Sequence, residues 1–197
     1  MDRHLSKPTS ENKQALRRTF RRARASLPPP LRRRHEARVA CLAARFVGRG
    51  KRIGGYYAMN HELDITPLLS RALRRGAQVF LPVIPRQGRR LWFSRLGPKN
   101  LWYNHPHYPL MEYAGPVLRA EHLDVLFVPL LAVDEEGFRL GQGGGFYDAS
   151  IRRLYARQPL LVGVAFDCQR TAHVPHEPWD MRLDGLVTPS GWIQFKC

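Results

Sequence analysis

The stretch LDVLFVPLLAV, residues 123–133, decides the fold class of this sequence. An almost continuous apolar run of this kind is typical of a central strand that is covered on both of its faces. The same character returns in QVFLPVI at residues 78–84 and in LLVGVAF at residues 160–166. Shorter strands are predicted at residues 52–58, 91–96 and 184–187.

Helical patterns alternate with these strands. An apolar stripe at three- and four-residue spacing marks the first helix and is formed by Leu16, Phe20, Ala23 and Leu27. The prolines at 28–30 end that helix. Helices are predicted at residues 10–27, 31–47, 65–75 and 147–157. This alternation predicts an α/β fold, a three-layer sandwich with a largely parallel central sheet, in which residues 97–115 form an irregular excursion.

The composition predicts one domain with a full apolar core over residues 1–197, because 44% of the 197 residues are hydrophobic. The formal net charge is +16, yet 16 of the 32 Lys and Arg residues lie within residues 1–52. The surplus charge therefore belongs to a basic N-terminal helical region, residues 1–50, packed on the domain. It is either a solvated helical face or a surface that attracts phosphates. A basic nucleic-acid-binding protein on an α/β scaffold stays the alternative interpretation.

The cysteines and the apolar segments bear on the compartment. Cys41, Cys168 and Cys197 are widely spaced and form no metal-binding pattern, which favours free thiols in a reducing compartment. No segment approaches the roughly 20 apolar residues of a membrane span, and the N-terminus lacks the apolar core of a signal peptide. It resembles a transit peptide only in being rich in Arg. We expect a cytoplasmic monomer without a membrane partner.

A glycine-rich loop, RLGQGGGFYD at residues 139–148, carries the strongest local signal. Four glycines in five positions, between a buried strand and a helix, let backbone amides approach an anion closely. Arg139 can donate to a phosphate in a bidentate manner, and Asp148 is placed to hold a Mg²⁺ that bridges phosphate oxygens. A flexible turn, with Asp148 favouring the helix start, is the alternative. The loop is not a Walker A loop, since Phe146 stands where that loop has Lys.

A second pattern is His173-x-x-His176-Glu177. Zinc proteases place two histidines four residues apart on a helix. Here the spacing is three, and Pro175 and Pro178 interrupt any helix. The pattern therefore does not predict a zinc protease.

Four segments together resemble the 5-formyltetrahydrofolate cyclo-ligase family. The glycine loop is similar to the family's R-L-G-x-G-x-G-[FY]-Y-D. KQALR at residues 13–17, YAMNHELDITPLL at 57–69 and HEPWDMRLDGLVT at 176–188 resemble three other family segments in order and spacing. One departure is the segment MEYAGP at residues 111–116, which lacks the Glu-Pro pair that the family usually has there.

The resemblance implies a NagB/RpiA/CoA-transferase-like sheet and an enzyme that uses ATP and Mg²⁺ to convert 5-formyltetrahydrofolate to 5,10-methenyltetrahydrofolate, with ADP and phosphate released. The folate could carry a polyglutamate tail. A phosphosugar isomerase or CoA-transferase relative is a further alternative, because fold does not determine function.

The resemblance also implies roles for individual residues. The nucleotide would be bound by Lys13, Arg17, Arg139, Gly141, Gln142, Gly143, Gly144, Gly145, Phe146 and Tyr147. The folate would be bound by Tyr57, Glu62, Gln142, Gly143, Gly144, Gly145 and Phe146. Arg139 and Tyr147 would be catalytic. Asp148 and Asp180 would be the Mg²⁺ ligands, with Asp184 as the alternative to Asp180.

Each assignment has a structural alternative. Lys13 and Arg17 could be solvated cations, and Glu62 could favour the start of the following helix. Asp180 could pair with Arg182. Tyr57, Phe146 and Tyr147 could pack in the core. Five aromatic residues could stack on a pterin or pack at the rim, namely Trp92, Phe93, Trp102, Tyr103 and Tyr108.

Overall fold

The computed structural model describes residues 9–59, 61–151 and 159–195, and the side chains from residue 12 onward within these ranges. The helices are α1 (Thr9–Ala25), α2 (Pro29–Ala43), α3 (Thr66–Arg74) and α4 (Phe146–Ser150). The strands are β1 (Arg52–Gly54), β2 (Gln78–Val83), β3 (Trp92–Arg95), β4 (Trp102–Asn104), β5 (Met111–Tyr113), β6 (Val117–Leu118), β7 (Val125–Pro129), β8 (Ala132–Val133), β9 (Arg139–Leu140), β10 (Leu160–Val164), β11 (Gly185–Thr188) and β12 (Gly191–Gln194).

Eight of these strands form one sheet, in the order β12-β11-β10-β7-β1-β2-β3-β6. The five strands from β11 to β2 in that order are parallel to one another. The outer strands β12, β3 and β6 are each antiparallel to their inner neighbour. The prediction of a largely parallel sheet is confirmed, and the NagB/RpiA/CoA-transferase-like topology stays a prediction.

Alternating side chains of the central strands fill two apolar cores, one on each face of the sheet. On β7, Val125 and Phe127 lie in the core beneath α2 and α3. Leu126 and Val128 lie in the other core, against which α4 packs. This burial on both faces explains the continuous apolar run of the sequence. The helices on either side of the sheet make the predicted three-layer α/β sandwich.

The apolar run at residues 123–133 is not one strand, contrary to the prediction. β7 ends at Pro129, and the chain then turns away from the sheet. The side-chain amide of Gln169 donates to the carbonyl oxygens of Leu130 (2.7 Å) and Leu131 (3.2 Å), which replaces strand pairing there. β8 pairs instead with β9 in a separate hairpin. α1 packs on this hairpin through Phe20.

Other boundaries also differ from the predictions. The strand predicted at residues 52–58 is only β1, the irregular excursion at 97–115 contains the hairpin of β4 and β5, and β12 was not predicted. The helix predicted at 147–157 is described only as α4, and residues 152–158 lie outside the described residues. The first three helices match their predictions within a few residues, with a short 3₁₀ helix at Ala44–Phe46 after α2.

Candidate active site

A cavity of about 480 Å³ opens at the carboxyl ends of β1, β2 and β7. Residues that follow or end these strands line it, among them Tyr56, Ile84 and Pro129. The carboxyl ends of parallel strands are the usual ligand site of an open α/β sheet. The cavity also has the size typical of a small-molecule site.

All residues predicted from the sequence to form the site line this one cavity. They are Lys13, Arg17, Tyr57, Glu62, Arg139, Gly141, Gln142, Gly143, Gly144, Gly145, Phe146, Tyr147, Asp148 and Asp180. Asp184, the alternative to Asp180, does not line the cavity. Its Oδ2 atom accepts a hydrogen bond from the N–H of Leu161 at 2.6 Å, so it joins β10 to the chain before β11.

The glycine loop runs from the end of β9 to the start of α4. Gly143 has φ 111° and Gly145 has φ 68°, left-handed conformations that residues with a Cβ rarely adopt. A Cβ at Gly143 would lie 3.5 Å from Cζ of Arg17. Arg17 Nε also donates to the carbonyl oxygen of Gly141 at 3.0 Å. The loop conformation therefore places the backbone of the glycine loop against the guanidinium group of Arg17.

Arg139 and Asp148, at the two ends of the loop, form a salt bridge. Arg139 is buried, and one of its terminal nitrogens donates to Asp148 Oδ1 at 2.8 Å. The N–H of Met181 donates to the same oxygen at 3.0 Å. Burial alone would raise the pKa of Asp148, but Arg139 and these hydrogen bonds hold that pKa below its usual value. Asp148 is therefore a carboxylate at neutral pH.

Asp180 forms the second ion pair of the cavity. Lys13 Nζ lies 2.5 Å from Asp180 Oδ2, although 167 residues separate them in the chain. The N–H of Glu177 donates to the same oxygen at 2.9 Å. Since the N–H of Met181, the next residue, binds Asp148, both carboxylates border the same part of the cavity. The predicted alternative, a pair between Asp180 and Arg182, is not found among the salt bridges of the described residues, where Asp180 pairs with Lys13 and Arg182 Nε donates to the carbonyl oxygen of Glu136.

We call Lys13, Arg17, Arg139, Asp148 and Asp180 the charged side of the cavity. Its three cations and two carboxylates come from α1, β9, α4 and the segment before β11. Such a set can neutralise phosphate groups and offer oxygen ligands to a divalent cation.

Gln142 connects the glycine loop to Glu62. Its side-chain N–H donates to Glu62 Oε1 at 3.1 Å, and its carbonyl oxygen accepts from Arg21 at 3.0 Å. The other Glu62 oxygen accepts from the N–H of Met59 at 3.1 Å. The sequence interpretation missed Arg21, which lies one helical turn beyond Arg17 on α1.

Tyr147 lies at the start of α4, beside the core. Burial and the nearby Glu62 carboxylate raise the pKa of Tyr147, whereas Arg139 lowers it. The phenol therefore stays protonated at neutral pH. It can donate a hydrogen bond but cannot act as a base there.

Aromatic side chains also line the cavity. We call Tyr57, Trp102, Tyr108 and Phe146 the aromatic side. The rings of Tyr57 and Trp102 lie 5.9 Å apart, and those of Tyr108 and Phe146 meet edge to face at 6.2 Å. Flat, apolar ligands fit between such rings.

Comparisons with known proteins identify the family. A model of the 5-formyltetrahydrofolate cyclo-ligase family matches residues 9–189. The chain belongs to the 5-formyltetrahydrofolate cyclo-ligase family. A cyclo-ligase of Escherichia coli K12 is 40% identical over 139 residues, which cover 68% of this chain and 76% of that protein. One of Haemophilus influenzae is 30% identical over 184 residues, which cover 90% and 98% of the two chains.

Solved structures of family members have the same fold. The 5,10-methenyltetrahydrofolate synthetase of Aquifex aeolicus superposes with a TM-score of 0.76 at 28% identity, covering 94% of this chain and 93% of that chain. The synthetase of Mycoplasma pneumoniae superposes with a TM-score of 0.73 at 19% identity, covering 90% and 99%. No helix within residues 9–59, 61–151 and 159–195 is long and apolar enough to cross a membrane.

The five aromatic residues that the sequence offered for stacking do not share one position. Trp102 and Tyr108 line the cavity, whereas Phe93 is fully buried in the core. Trp92 lies beneath the guanidinium group of Arg119, with 3.3 Å between Cζ and the ring centroid. Tyr103 does not line the cavity either, but its hydroxyl binds a residue that does.

That residue is Glu112, which lies in the segment without the family's usual Glu-Pro pair. Glu112 is buried and lines the cavity. It accepts hydrogen bonds from the N–H of Ile84 at 2.7 Å and from the hydroxyl of Tyr103 at 2.6 Å. A charged residue in an aromatic segment was the only signal that sequence reasoning could have used to find it.

Arg89 is a further residue that the sequence interpretation missed. It belongs to the loop between β2 and β3, and a Cβ at Gly145 would lie 3.6 Å from one of its terminal nitrogens. It adds a cation beside the glycine loop. No motif marks it, because its position follows from the antiparallel course of β3.

Proposed function

We propose that this chain converts 5-formyltetrahydrofolate to 5,10-methenyltetrahydrofolate with hydrolysis of ATP, and that the cavity holds both substrates. The observation that supports this proposal is that four segments with family resemblance, spread over residues 13–188, meet in one cavity. The cavity has a charged side suited to a triphosphate and an aromatic side suited to a pterin.

The chemistry explains why a nucleotide is required. A formamide carbonyl carbon is a poor electrophile, and its oxygen leaves badly as hydroxide. Transfer of the γ-phosphoryl group of ATP to the formyl oxygen makes that oxygen a good leaving group. N10 then attacks the formyl carbon and loses its proton. The bond between the formyl carbon and its oxygen breaks, and phosphate leaves with that oxygen. Because N10 and the formyl group belong to one molecule, correct positioning supplies much of the rate.

The charged side would bind the phosphate groups. Arg17 already lies against Gly141 and Gly143, so it and the loop amides can contact the same phosphate oxygens. Arg139 has a buried Nε without a hydrogen-bond partner among the described residues. A buried donor of this kind favours an added acceptor at the cavity. When the nucleotide binds, Lys13 would either leave Asp180 or contact both Asp180 and a phosphate group.

Asp148 and Asp180 would hold Mg²⁺. Both are oxygen donors, which suits a hard divalent cation. The N–H of Met181, the residue after Asp180, donates to Asp148, and this hydrogen bond keeps the two carboxylates at the same part of the cavity. Each carboxylate is paired with a cationic side chain, with which Mg²⁺ would share it or which Mg²⁺ would displace. When bound, Mg²⁺ neutralises phosphate charge during phosphoryl transfer.

The aromatic side would bind the folate. Tyr57, Trp102 and Phe146 can contact the faces of a pterin ring. Glu62 and Glu112, at the wall and floor of the cavity, can accept hydrogen bonds from ring N–H and amino groups. Tyr147 remains a neutral phenol, so its role would be to donate a hydrogen bond to the formyl or phosphate oxygen.

A polyglutamate tail would extend toward the basic N-terminal region. Arg18, Arg21 and Arg22 are exposed on α1, and Arg21 reaches Gln142 at the edge of the cavity. Replacing Arg18 and Arg22 with Gln should raise the KM for a polyglutamate more than the KM for the monoglutamate. Equal effects on the two substrates would contradict this part of the proposal.

The direct test follows the near-ultraviolet absorbance of the methenyl product. Purified protein with 5-formyltetrahydrofolate, Mg²⁺ and ATP should form this chromophore, and mixtures without ATP should not. Removal of Mg²⁺ by a chelator should stop the reaction. Absence of product from folded protein, under conditions in which the Escherichia coli relative is active, would overturn the proposal.

A further inference from the structure

Asp134, His173 and His176 form a cluster outside the cavity. Their potential ligand atoms all lie within 4.8 Å of one another. None of the three lines the cavity, and none has a role in the reaction proposed above. Asp134 follows β8, whereas both histidines belong to the segment between β10 and β11. The fold thus joins a carboxylate to the His-x-x-His pair that the sequence left unexplained.

Asp134 is held rigidly and keeps part of its acceptor capacity. It is 4% exposed, and Oδ1 accepts from the N–H groups of Glu136 (3.1 Å) and Phe138 (2.9 Å). Oδ2 accepts from the N–H of Val174 at 3.0 Å. A carboxylate has about four lone-pair positions. The described hydrogen bonds use three of them, so Oδ2 retains a lone pair for a ligand.

His176 is also oriented before any ligand binds. Its Nδ1 lies 3.1 Å from the carbonyl oxygen of Val174, which can only accept, so Nδ1 carries the proton. Its ring stacks on Phe138 with centroids 3.5 Å apart and planes 4° apart. This arrangement leaves the lone pair of the neutral ring on Nε2. A donor bond from the second ring nitrogen to a backbone carbonyl is the arrangement found in metal-binding histidines.

We propose that Asp134, His173 and His176 form a binding site for a transition-metal ion, with Zn²⁺ as the ion it fits best. Two imidazoles and one carboxylate are typical ligands of Zn²⁺, whereas Mg²⁺ and Ca²⁺ prefer oxygen alone. His173 is exposed, so its side chain can rotate inward to the roughly 3.3 Å ligand separations of a tetrahedral shell. Water would fill the fourth position.

The proposed metal site lies close in the chain to two residues of the charged side, Arg139 and Asp180. Asp134 begins the turn that leads to Arg139, and His176 begins the segment that leads to Asp180. A bound ion would join that turn to that segment. Its role would be to hold the segment before β11 in place, and it would take no part in phosphoryl transfer. Zn²⁺ binding can be measured without any activity, so it is independent of the proposed function.

The test is a calorimetric titration of the full chain with Zn²⁺ in excess Mg²⁺. The three cysteines are replaced with Ser to remove thiol ligands. We expect one Zn²⁺ per chain, and affinity weakened about a hundredfold by His173→Gln or His176→Gln. His173 is exposed, so its variant should keep the fold. His105→Gln/His107→Gln, which alters another close pair of rings, should bind Zn²⁺ as before.

Hydrogen exchange gives a second readout. With Mg²⁺ present throughout, added Zn²⁺ should further slow exchange of the backbone amides at residues 173–176, and His173→Gln should abolish this added protection. Two results would overturn the site. One is the lack of saturable one-to-one binding in the cysteine-free protein. The other is one-to-one binding that neither histidine substitution weakens.

Discussion

The charged side and the aromatic side of the cavity are built in different ways. On the charged side, each carboxylate accepts from a cationic side chain and from a backbone N–H group. On the aromatic side, the rings come from the segment after β1, from β4, from the loop between β4 and β5, and from α4. Within the described part of the chain, they meet through ring contacts alone. Hydrogen bonds of defined length and angle thus hold the carboxylates of the charged side. The rings of the aromatic side are held by packing, which allows small shifts in their positions.

This difference suggests a division of labour. In-line phosphoryl transfer requires closely fixed oxygens and cations. Binding of a flat ring depends on area and shape, which different sets of aromatic residues can supply. Substitutions on the charged side should therefore reduce turnover or weaken ATP binding, whereas those on the aromatic side should mainly weaken folate binding. Five predictions test this contrast.

The largest effect is expected for Asp148→Asn. Loss of the carboxylate removes a proposed Mg²⁺ ligand and leaves buried Arg139 without its ionic partner, so kcat should fall about a hundredfold or more. Product absorbance measures it. Glu135→Gln, which neutralises an exposed acid outside the cavity, should keep wild-type turnover. Near-normal kcat for Asp148→Asn would contradict the role of the charged side.

The same variant should show a pH-dependent loss of stability. Because the pKa of Asp148 is below its usual value in the folded protein, its pairing stabilises the fold above the unfolded pKa of about 3.9. That stabilisation is lost as the pH falls through the lower folded pKa. Urea unfolding should show a deficit of about 2 kcal/mol for Asp148→Asn at pH 7, and this deficit should disappear in strong acid. A deficit that is constant with pH would exclude the ion pair as its cause.

A smaller effect is expected for Lys13→Met. The methionine keeps the unbranched apolar part of the side chain but removes the charge that pairs with Asp180, so the KM for ATP should rise about tenfold or more. The KM for folate should change little. Lys51→Met, which removes an exposed lysine far from the cavity, serves as the matched control. If both variants raise the KM for ATP equally, the effect is one of net charge alone.

On the aromatic side, Trp102→Ala should raise the KM for folate about tenfold, with the KM for ATP unchanged. The matched control is Trp92→Ala, because Trp92 lies on β3 outside the cavity. Steady-state kinetics with each substrate varied in turn provides both values. A drop in kcat as large as that of Asp148→Asn would remove the distinction between the two sides.

The smallest effect is expected for Tyr103→Phe. Burial and the Glu112 carboxylate raise the pKa of Tyr103 to about 12. The hydroxyl therefore stabilises the fold below the unfolded pKa of about 10, and this contribution is lost as the pH rises toward about 12. Since the side chain is partly exposed, the variant should lose less than about 1 kcal/mol at pH 7. Urea unfolding at pH 7 and in strong alkali tests this, and a deficit that persists in alkali would contradict it.

All five residues of the charged side were assigned from the sequence, whereas Trp102 and Tyr108 of the aromatic side were left open, for a physical reason. Arg139 and Asp148 lie in one short loop whose glycines restrict what the backbone can do, so a local pattern was enough to find them. Trp102 and Glu112 reach the cavity only because residues 97–115 fold back as a hairpin. The strand pairing of this hairpin cannot be predicted from the aromatic, proline-rich sequence of the segment. For the fold, burial on both faces identified the central strands, but the end of β7 depends on the distant side chain of Gln169.

The ion pair between Lys13 and Asp180 bears on how the molecule is synthesised. α1 is synthesised before the segments that it contacts, among them the 3₁₀ helix at Asp167–Gln169 and Asp180. Folding during synthesis proceeds from the N-terminus, and α1 can first pack on the hairpin of β8 and β9. Its contacts with the 3₁₀ helix and with Asp180 form only after residues 167–180 have emerged. On the proposed function, a nascent chain would therefore complete its nucleotide site only after Asp180 has left the ribosome.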